Sequence, residues 1–214
     1  MSTHAIIAVR GGPKAKSRLS GRLDHWQRAE LVEAMLLDMV ERLHIVRGIE
    51  RIWVVTPTPT IANVARLAGA STICDIGCGG LNGAFGQARD RISAEFPTAA
   101  TMLLPGDLPL LNEEEVDVLL RAVSPEAVAL APAASDGGTG ALALPARCSI
   151  PLAFGSDSFD RHMRAANRAG FATHKVEAPN LGFDIDDPAD LDALLKRGVA
   201  GRTGMLLSNW RAAA

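Results

Sequence analysis

Three cysteines are all that this 214-residue chain contains. Cys74, Cys78 and Cys148 are too few, and odd in number, for a disulfide framework. Such sparing use suits a reducing compartment, so the cytoplasm is the expected location. Cys74 and Cys78 are close enough to share a metal. A zinc site needs two further ligands at close spacing, however, and His44, His162 and His174 are scattered. Structural thiols are the better-supported reading. There is also no apolar run long enough to span a bilayer. No basic-then-apolar signal pattern precedes the strand-like "AIIAV" at the start. The formal net charge is only −2, so the chain lacks the broad basic surface of a general nucleic-acid binder. Two phosphate-binding signatures are missing as well. The P-loop spacing G-x-x-x-x-G-K-[ST] does not occur. Nor does G-x-G-x-x-G, which disfavours an NAD-dependent oxidoreductase.

What is present is a globular composition, 48% apolar, with length enough for one domain and a sizeable core. Strand-like and helix-like segments alternate. "HAIIAV" reads as a buried first strand. A helix follows from about Asp24 to Arg47, where Val32, Met35, Leu36, Met39, Val40 and Leu43 repeat at three-four spacing. "RIWVVT", "STICDI" and "ATMLLP" read as further strands, and helices stand between them. Asn112 and Glu115 have capping-box spacing. "AVALAPA" and "GALALP" flank the loop "ASDGGT". "FATHKVE" and "LGFDID" are strand-like, and Asp187-Pro188 opens the helix "PADLDALLKRG". This alternation implies an α/β domain with a largely parallel sheet, and closely spaced strands in the later half leave room for antiparallel pairing. The segment "GMLLSNW" suits either a helix turn or an interface.

Open α/β sheets bind ligands beyond the carboxyl ends of their strands, and the informative loops here follow predicted strands. The first is "AVRGGPKAKSRLSGRL". It gathers Arg10, Lys14, Lys16, Arg18 and Arg22 around a Gly11-Gly12-Pro13 turn with no acid between them. Glycine lets backbone N–H groups approach an anion, and Lys and Arg add charge and directed donors. A phosphate chain is the natural guest, with Arg10, Gly11, Gly12 and Lys16 as candidates to hold it. A solvated basic loop is the plain alternative. In "LLPGDLPLL", Asp107 sits in a Pro-flanked turn, where a rigid carboxylate suits Mg²⁺ or simply bonds its own backbone. In "GFDIDDP", Asp184 and Asp186 share a face if the segment is extended, and two like charges there call for a cation between them. "SDGGTGAL" offers Thr139. "FGSDSFDRH" places Gly155 and Ser158 at a helix start, which favours a carboxylate or phosphate; Ser158 as a plain N-cap is compatible with that.

With these loops in order, the sequence resembles the 2-phospho-L-lactate guanylyltransferase family. Close relatives in that family use phosphoenolpyruvate or 3-phospho-D-glycerate in biosynthesis of the deazaflavin coenzyme F-420. "KAKSRLS", "GGLNGAF", "LLPGDLPLL", "SDGGTGAL", "FGSDSFDRHMRAANRAG" and "GFDIDDPADL" carry the likeness, over residues about 14 to 195. The resemblance implies a single nucleotidyltransferase domain of the GT-A kind. It implies GTP and a three-carbon phospho-acid as partners, Mg²⁺ as cofactor, and often a dimer. It places Asp107, Asp184 and Asp186 on the metal. Lys16 and Arg18 fall on the triphosphate and leaving pyrophosphate, and Gly80 and Asn82 along the nucleotide. Thr139, Gly155 and Ser158 fall at the phospho-acid carboxylate. The family's usual P-V-K after the first strand is here Ala8-Val9-Arg10, which keeps the charge but changes its shape. Competing readings are a nucleotidyltransferase acting on molybdopterin or a sugar phosphate, and a non-catalytic nucleotide-binding protein.

Overall fold

A continuous apolar run along the first strand builds a core on both sides of a sheet. In the computed structural model, which describes residues 2–12, 14–77 and 79–213, β1 (Thr3–Ala8) is buried at every position. Successive side chains take opposite faces. Ala5 and Ile7 join one apolar cluster, and Ile6 and Ala8 join the other. With β2 (Ile49–Thr56), β3 (Ser71–Cys74), β4 (Ala100–Pro105), β5 (Ala127–Pro132), β6 (Thr139–Leu144) and β7 (Ala172–Lys175), the strands form one sheet. Their order is β3-β2-β1-β4-β6-β5-β7. β6 runs antiparallel to both β4 and β5, and the remaining pairings are parallel. The reversal matters for the site. It brings Thr139, the first residue of β6, to the edge where the other strands end.

Helices cover both faces, as a doubly covered parallel sheet requires. α1 (His25–Ile45), α2 (Pro59–Leu67), α4 (Glu113–Ala122), α6 (Pro188–Arg197) and α7 (Gly201–Ala213) lie on one side. α3 (Gly80–Glu95) and α5 (Ser158–Arg168) lie on the other. α1 starts where its sequence says it should. Asp24 caps it, and Gln27 returns the bond to the Asp24 amide. The expected apolar stripe from Val32 to Leu43 is buried. Among the described residues, no helix is long and apolar enough to cross a membrane.

Two expectations are corrected. "LGFDID" forms no strand; residues 181–186 are turn and loop. The capping box at α4 is half-formed. The Asn112 side chain accepts from the Glu115 amide at 2.9 Å, but the Glu115 carboxylate turns away to Asn180 and Leu181. It is drawn there because the amides of a segment outside the sheet lack ladder partners. Of the two readings of "GMLLSNW", the helical one holds: the segment belongs to α7, which packs on α1. Asp38 of α1 holds the start of α7 by accepting from the amides of Arg202 and Thr203 at 2.8 and 2.9 Å. Pro13 and Cys78 lie outside the described residues, and with them the Gly11-Gly12-Pro13 junction as a whole and the Cys74–Cys78 pairing.

Candidate active site

The charged loops meet in an open cleft of about 380 Å³ beyond β1 and β4, lined among others by Arg10, Lys14, Lys16, Arg18, Asp107 and Asp186. Asp107 stands in the turn after β4. Neighbouring Gly106 is forced by close approach: a Cβ there would sit 2.5 Å from the Val9 side chain and 2.9 Å from the Ala8 carbonyl oxygen. Asp184 and Asp186 arrive on the 180–187 segment. One carboxylate oxygen from each of Asp107, Asp184 and Asp186 lies within 4.8 Å of the others. The expected convergence is therefore present, but strand alternation does not produce it.

Other contacts hold that segment. The Glu115 carboxylate accepts from the Asn180 amide at 2.9 Å, the Asn180 side chain at 2.7 Å and the Leu181 amide at 2.9 Å. Asp190 accepts from the amides of Asp186 and Asp187, each at 2.9 Å. Asp187 caps α6, as expected. The segment also presses on the sheet: a Cβ on Gly140 would lie 2.2 Å from the Leu181 carbonyl oxygen. Glu115 was missed as a site-building residue because its spacing from Asn112 suggests a local role. Only its distant partners show otherwise.

The three carboxylates raise one another's cost of ionisation, and the nearest cation to them is Lys16. Burial, and then Asp107 and Asp186, push the Asp184 carboxyl up to about 6. Lys16 reaches over with its ammonium against Asp107, and 3.0 Å from Asp186. Burial alone would lower the Lys16 ammonium, but Asp107 and Asp186 outweigh it and hold it above its usual value. Lys16 itself sits in the left-handed region, at φ 48° and ψ 43°. That conformation is costly for a side-chain-bearing residue and clusters at functional sites. One oxygen, Asp107 Oδ1, is buried with no hydrogen-bond partner among the described residues. Three converging carboxylates and an orphaned carboxylate oxygen fit a hard divalent cation that prefers oxygen ligands.

The basic loop is less free than its sequence suggests. Arg10 is 3.7 Å from the buried Asp75, Arg18 is 3.7 Å from Asp186, and Arg22 pairs with Asp192. Acids from distant segments thus answer a cluster that has none nearby in sequence. The Gly11 amide donates to Thr58 Oγ1 at 3.2 Å. Gly12, at φ 87°, turns the chain, and its carbonyl accepts from Ala15.

Across the sheet edge, Thr139, Gly155 and Ser158 come together. Ser158 is the first residue of α5, so it is not the N-cap; Asp157 holds that place without a capping bond. The Ser158 and Thr139 hydroxyls are 3.1 Å apart. Gly80 opens α3. Asn82, in the first turn, spends both ends of its amide on the Phe154 backbone, at 3.1 and 2.7 Å. Its side chain therefore ties the glycine loop to the Gly155 loop.

Comparison with known proteins identifies the family. Residues 3–211 match the family described as guanylyl transferase CofC like. The chain is 42% identical to the 3-phospho-D-glycerate guanylyltransferase of Phenylobacterium zucineum, over 97% of this chain and 98% of that one. It is 38% identical to the phosphoenolpyruvate guanylyltransferase of Rubrobacter xylanophilus, over 92% and 96%. Among solved structures, the fold is shared with CMP:2-keto-3-deoxy-manno-octonic acid synthetase complexed with CTP. That match has a TM-score of 0.63 at 17% identity, over 92% of this chain and 99% of that one. It is also shared with a nucleotidyl transferase of Methanothermobacter, with a TM-score of 0.65 at 14% identity, over 92% and 99%. The loops that build the charged cleft thus lie within a match that spans nearly the whole chain, and the chain belongs to the CofC-like guanylyl transferase family of enzymes.

Proposed function

We propose that this enzyme transfers GMP from GTP to the phosphate of a three-carbon phospho-acid, releasing pyrophosphate. The acceptor is 2-phospho-L-lactate, phosphoenolpyruvate or 3-phospho-D-glycerate, and the product serves coenzyme F-420 biosynthesis in the cytoplasm. The observation that carries the reading is the meeting of Asp107, Asp184, Asp186 and Lys16 in one cleft of a guanylyl transferase-family chain. The cleft and the Thr139–Ser158 pair lie beyond the same sheet edge.

The chemistry asks little of proton transfer. A phosphate monoester has a second pKa of about 6, so the acceptor is already largely a dianion at neutral pH. It attacks the α-phosphorus of GTP in line and needs no general base. What remains is alignment and charge stabilisation. Asp107, Asp184 and Asp186 would hold Mg²⁺, which supplies Lewis-acid neutralisation of phosphate oxygens. Lys16 and Arg18 bind the departing pyrophosphate, with Arg10 and the Gly11–Gly12 backbone along the polyphosphate. The α3 start at Gly80 faces the nucleotide. Thr139, Gly155 and Ser158 receive the acceptor carboxylate. A homodimer is proposed from the family resemblance.

The test is a pyrophosphate-release panel of GTP, ATP and CTP against the three phospho-acids and sugar phosphates. Release with GTP and at least one three-carbon phospho-acid is expected. Equal release with ATP, or release only with sugar phosphates, refutes the proposal.

A further inference from the structure

His162 lies one α5 turn beyond Ser158 and is fully buried. Both ring nitrogens are engaged. The Ala153 amide donates to Nε2 at 2.9 Å. A nitrogen that accepts from an N–H carries no proton of its own, so the ring hydrogen of the neutral imidazole sits on Nδ1. Nδ1 faces Thr139 Oγ1 at 2.9 Å and donates to it. Burial, and then Arg161, push His162 down to about 4, in keeping with an imidazole that stays neutral.

The consequence falls on the hydroxyl pair. Thr139 Oγ1 accepts from His162, and it shares one hydrogen with Ser158 Oγ at 3.1 Å. The pair owns two hydroxyl hydrogens. One lies between the two oxygens, whichever donates. The other is left over, and no acceptor for it occurs among the described residues. Both oxygens are almost fully buried, where an unspent donor is costly. Its complement is a hydrogen-bond acceptor, which a carboxylate oxygen supplies. The adjoining loop is pinned from two sides, by His162 at Ala153 and by Asn82 at Phe154. Next along the chain, Gly155 stands exposed.

We infer that His162 is a positioning residue for the acceptor: by donating from Nδ1 to Thr139 it leaves the Thr139–Ser158 pair one hydroxyl hydrogen to present to the phospho-acid carboxylate. Were Nδ1 the acceptor instead, Thr139 would spend its hydrogen on the ring and Ser158 its own on Thr139, and the pair would have none to present. The inference rests on the proposed reading of Thr139, Gly155 and Ser158 as the carboxylate site.

The test is a double-mutant cycle with steady-state kinetics for both substrates. His162→Ala and Thr139→Val are each expected to raise the acceptor KM by about tenfold to a hundredfold, the worth of a hydrogen bond to a charged group. The KM for GTP should not move. In the Thr139→Val background, His162→Ala should add less than about twofold, because residues acting through one contact are not additive. The preference for 3-phospho-D-glycerate over glycerol 3-phosphate, which lacks the carboxylate, should shrink with either variant. Should His162→Ala fail to fold, His162→Asn and His162→Gln carry the test. The Asn amide reaches the Nδ1 position and should keep the acceptor KM near that of wild type; Gln extends toward Nε2 and should raise it. If Thr139→Val leaves the acceptor KM unchanged, the carboxylate-site reading fails. If Thr139→Val raises it but His162→Ala does not, or adds in full, or Asn is no better than Gln, the positioning role of His162 is overturned.

Discussion

Asp184→Asn separates the metal reading of the cleft from a purely structural one. Asp184 is half-buried, and burial together with Asp107 and Asp186 raises its carboxyl to about 6. Set against an ordinary Asp value of about 3.9, that disfavours the ionised form in the fold by roughly 3 kcal/mol. Residual solvent contact screens the interaction, so about 1–2 kcal/mol is the realistic figure. The sign follows from proton counting. Between about pH 4 and 6 the folded protein binds more protons at Asp184 than the unfolded chain does, so the metal-free wild type loses stability as pH rises through that window. Asn keeps the shape and removes the charge. In EDTA at pH 7.5, Asp184→Asn should therefore melt higher than wild type by about 2–8 °C for a chain of this length. Most of the gain should be gone by about pH 4, and well below that it should vanish, because Asp184 is then protonated in both states. His162, pushed down to about 4, titrates in an overlapping range with the opposite sense, but it is common to both proteins and cancels in the difference. Adding Mg²⁺ should raise the melting temperature of wild type and leave the variant unmoved, while guanylyl transfer by the variant is lost. Paired melting curves at pH 4, 5, 6 and 7.5, with EDTA or Mg²⁺, provide the measurement. A variant less stable than wild type in EDTA at pH 7.5 would falsify the account of a repelling acidic cluster. Full Mg²⁺-dependent turnover by the variant would remove Asp184 from the metal.

Further outcomes follow from the same contacts. Lys16→Ala should lower kcat by roughly 10²–10³-fold, as expected for a charged group whose contact strengthens in the transition state. Near-normal turnover by the folded variant would make the basic loop merely solvated. Glu115→Ala strips the acceptor from the Asn180 and Leu181 amides and should cost about 2–4 kcal/mol in urea unfolding. Mg²⁺ should also be held more weakly, through a displaced Asp184–Asp186 segment, as read by the Mg²⁺ dependence of melting; unchanged metal dependence would confine Glu115 to a purely structural role. Asp38→Ala removes the two bonds at the start of α7 and should cost about 1–2 kcal/mol. Hydrogen exchange should rise selectively over residues 201–213 with turnover intact; lost turnover would tie α7 to the site.

Local patterns carry the parts of this protein that depend only on neighbours in the chain. A continuous apolar run placed β1, three-four spacing placed α1, and Asp24 and Asp187 marked helix starts, because each depends on residues a few positions apart. The acids and bases of the cleft were legible for a related reason: a Pro-flanked turn at Asp107 and an acid-free basic run are local features that a stable fold alone does not call for. Tertiary structure decided the rest. Antiparallel pairing of β5 with its neighbour β6 was legible in the sequence, but the insertion of β6 beside the distant β4 was not, and the reversal brings Thr139 to the edge where the other strands end. Asp184 and Asp186 reach Asp107 from a loop, held by Glu115 and Asp190 rather than by strand geometry. Asp38 shapes α7 from 164 residues away. His162 looks like one of several scattered histidines until its two nitrogens meet Ala153 and Thr139. Hydrogen-bond polarity, desolvation and charge compensation depend on which groups face one another in space, and only the folded chain sets that.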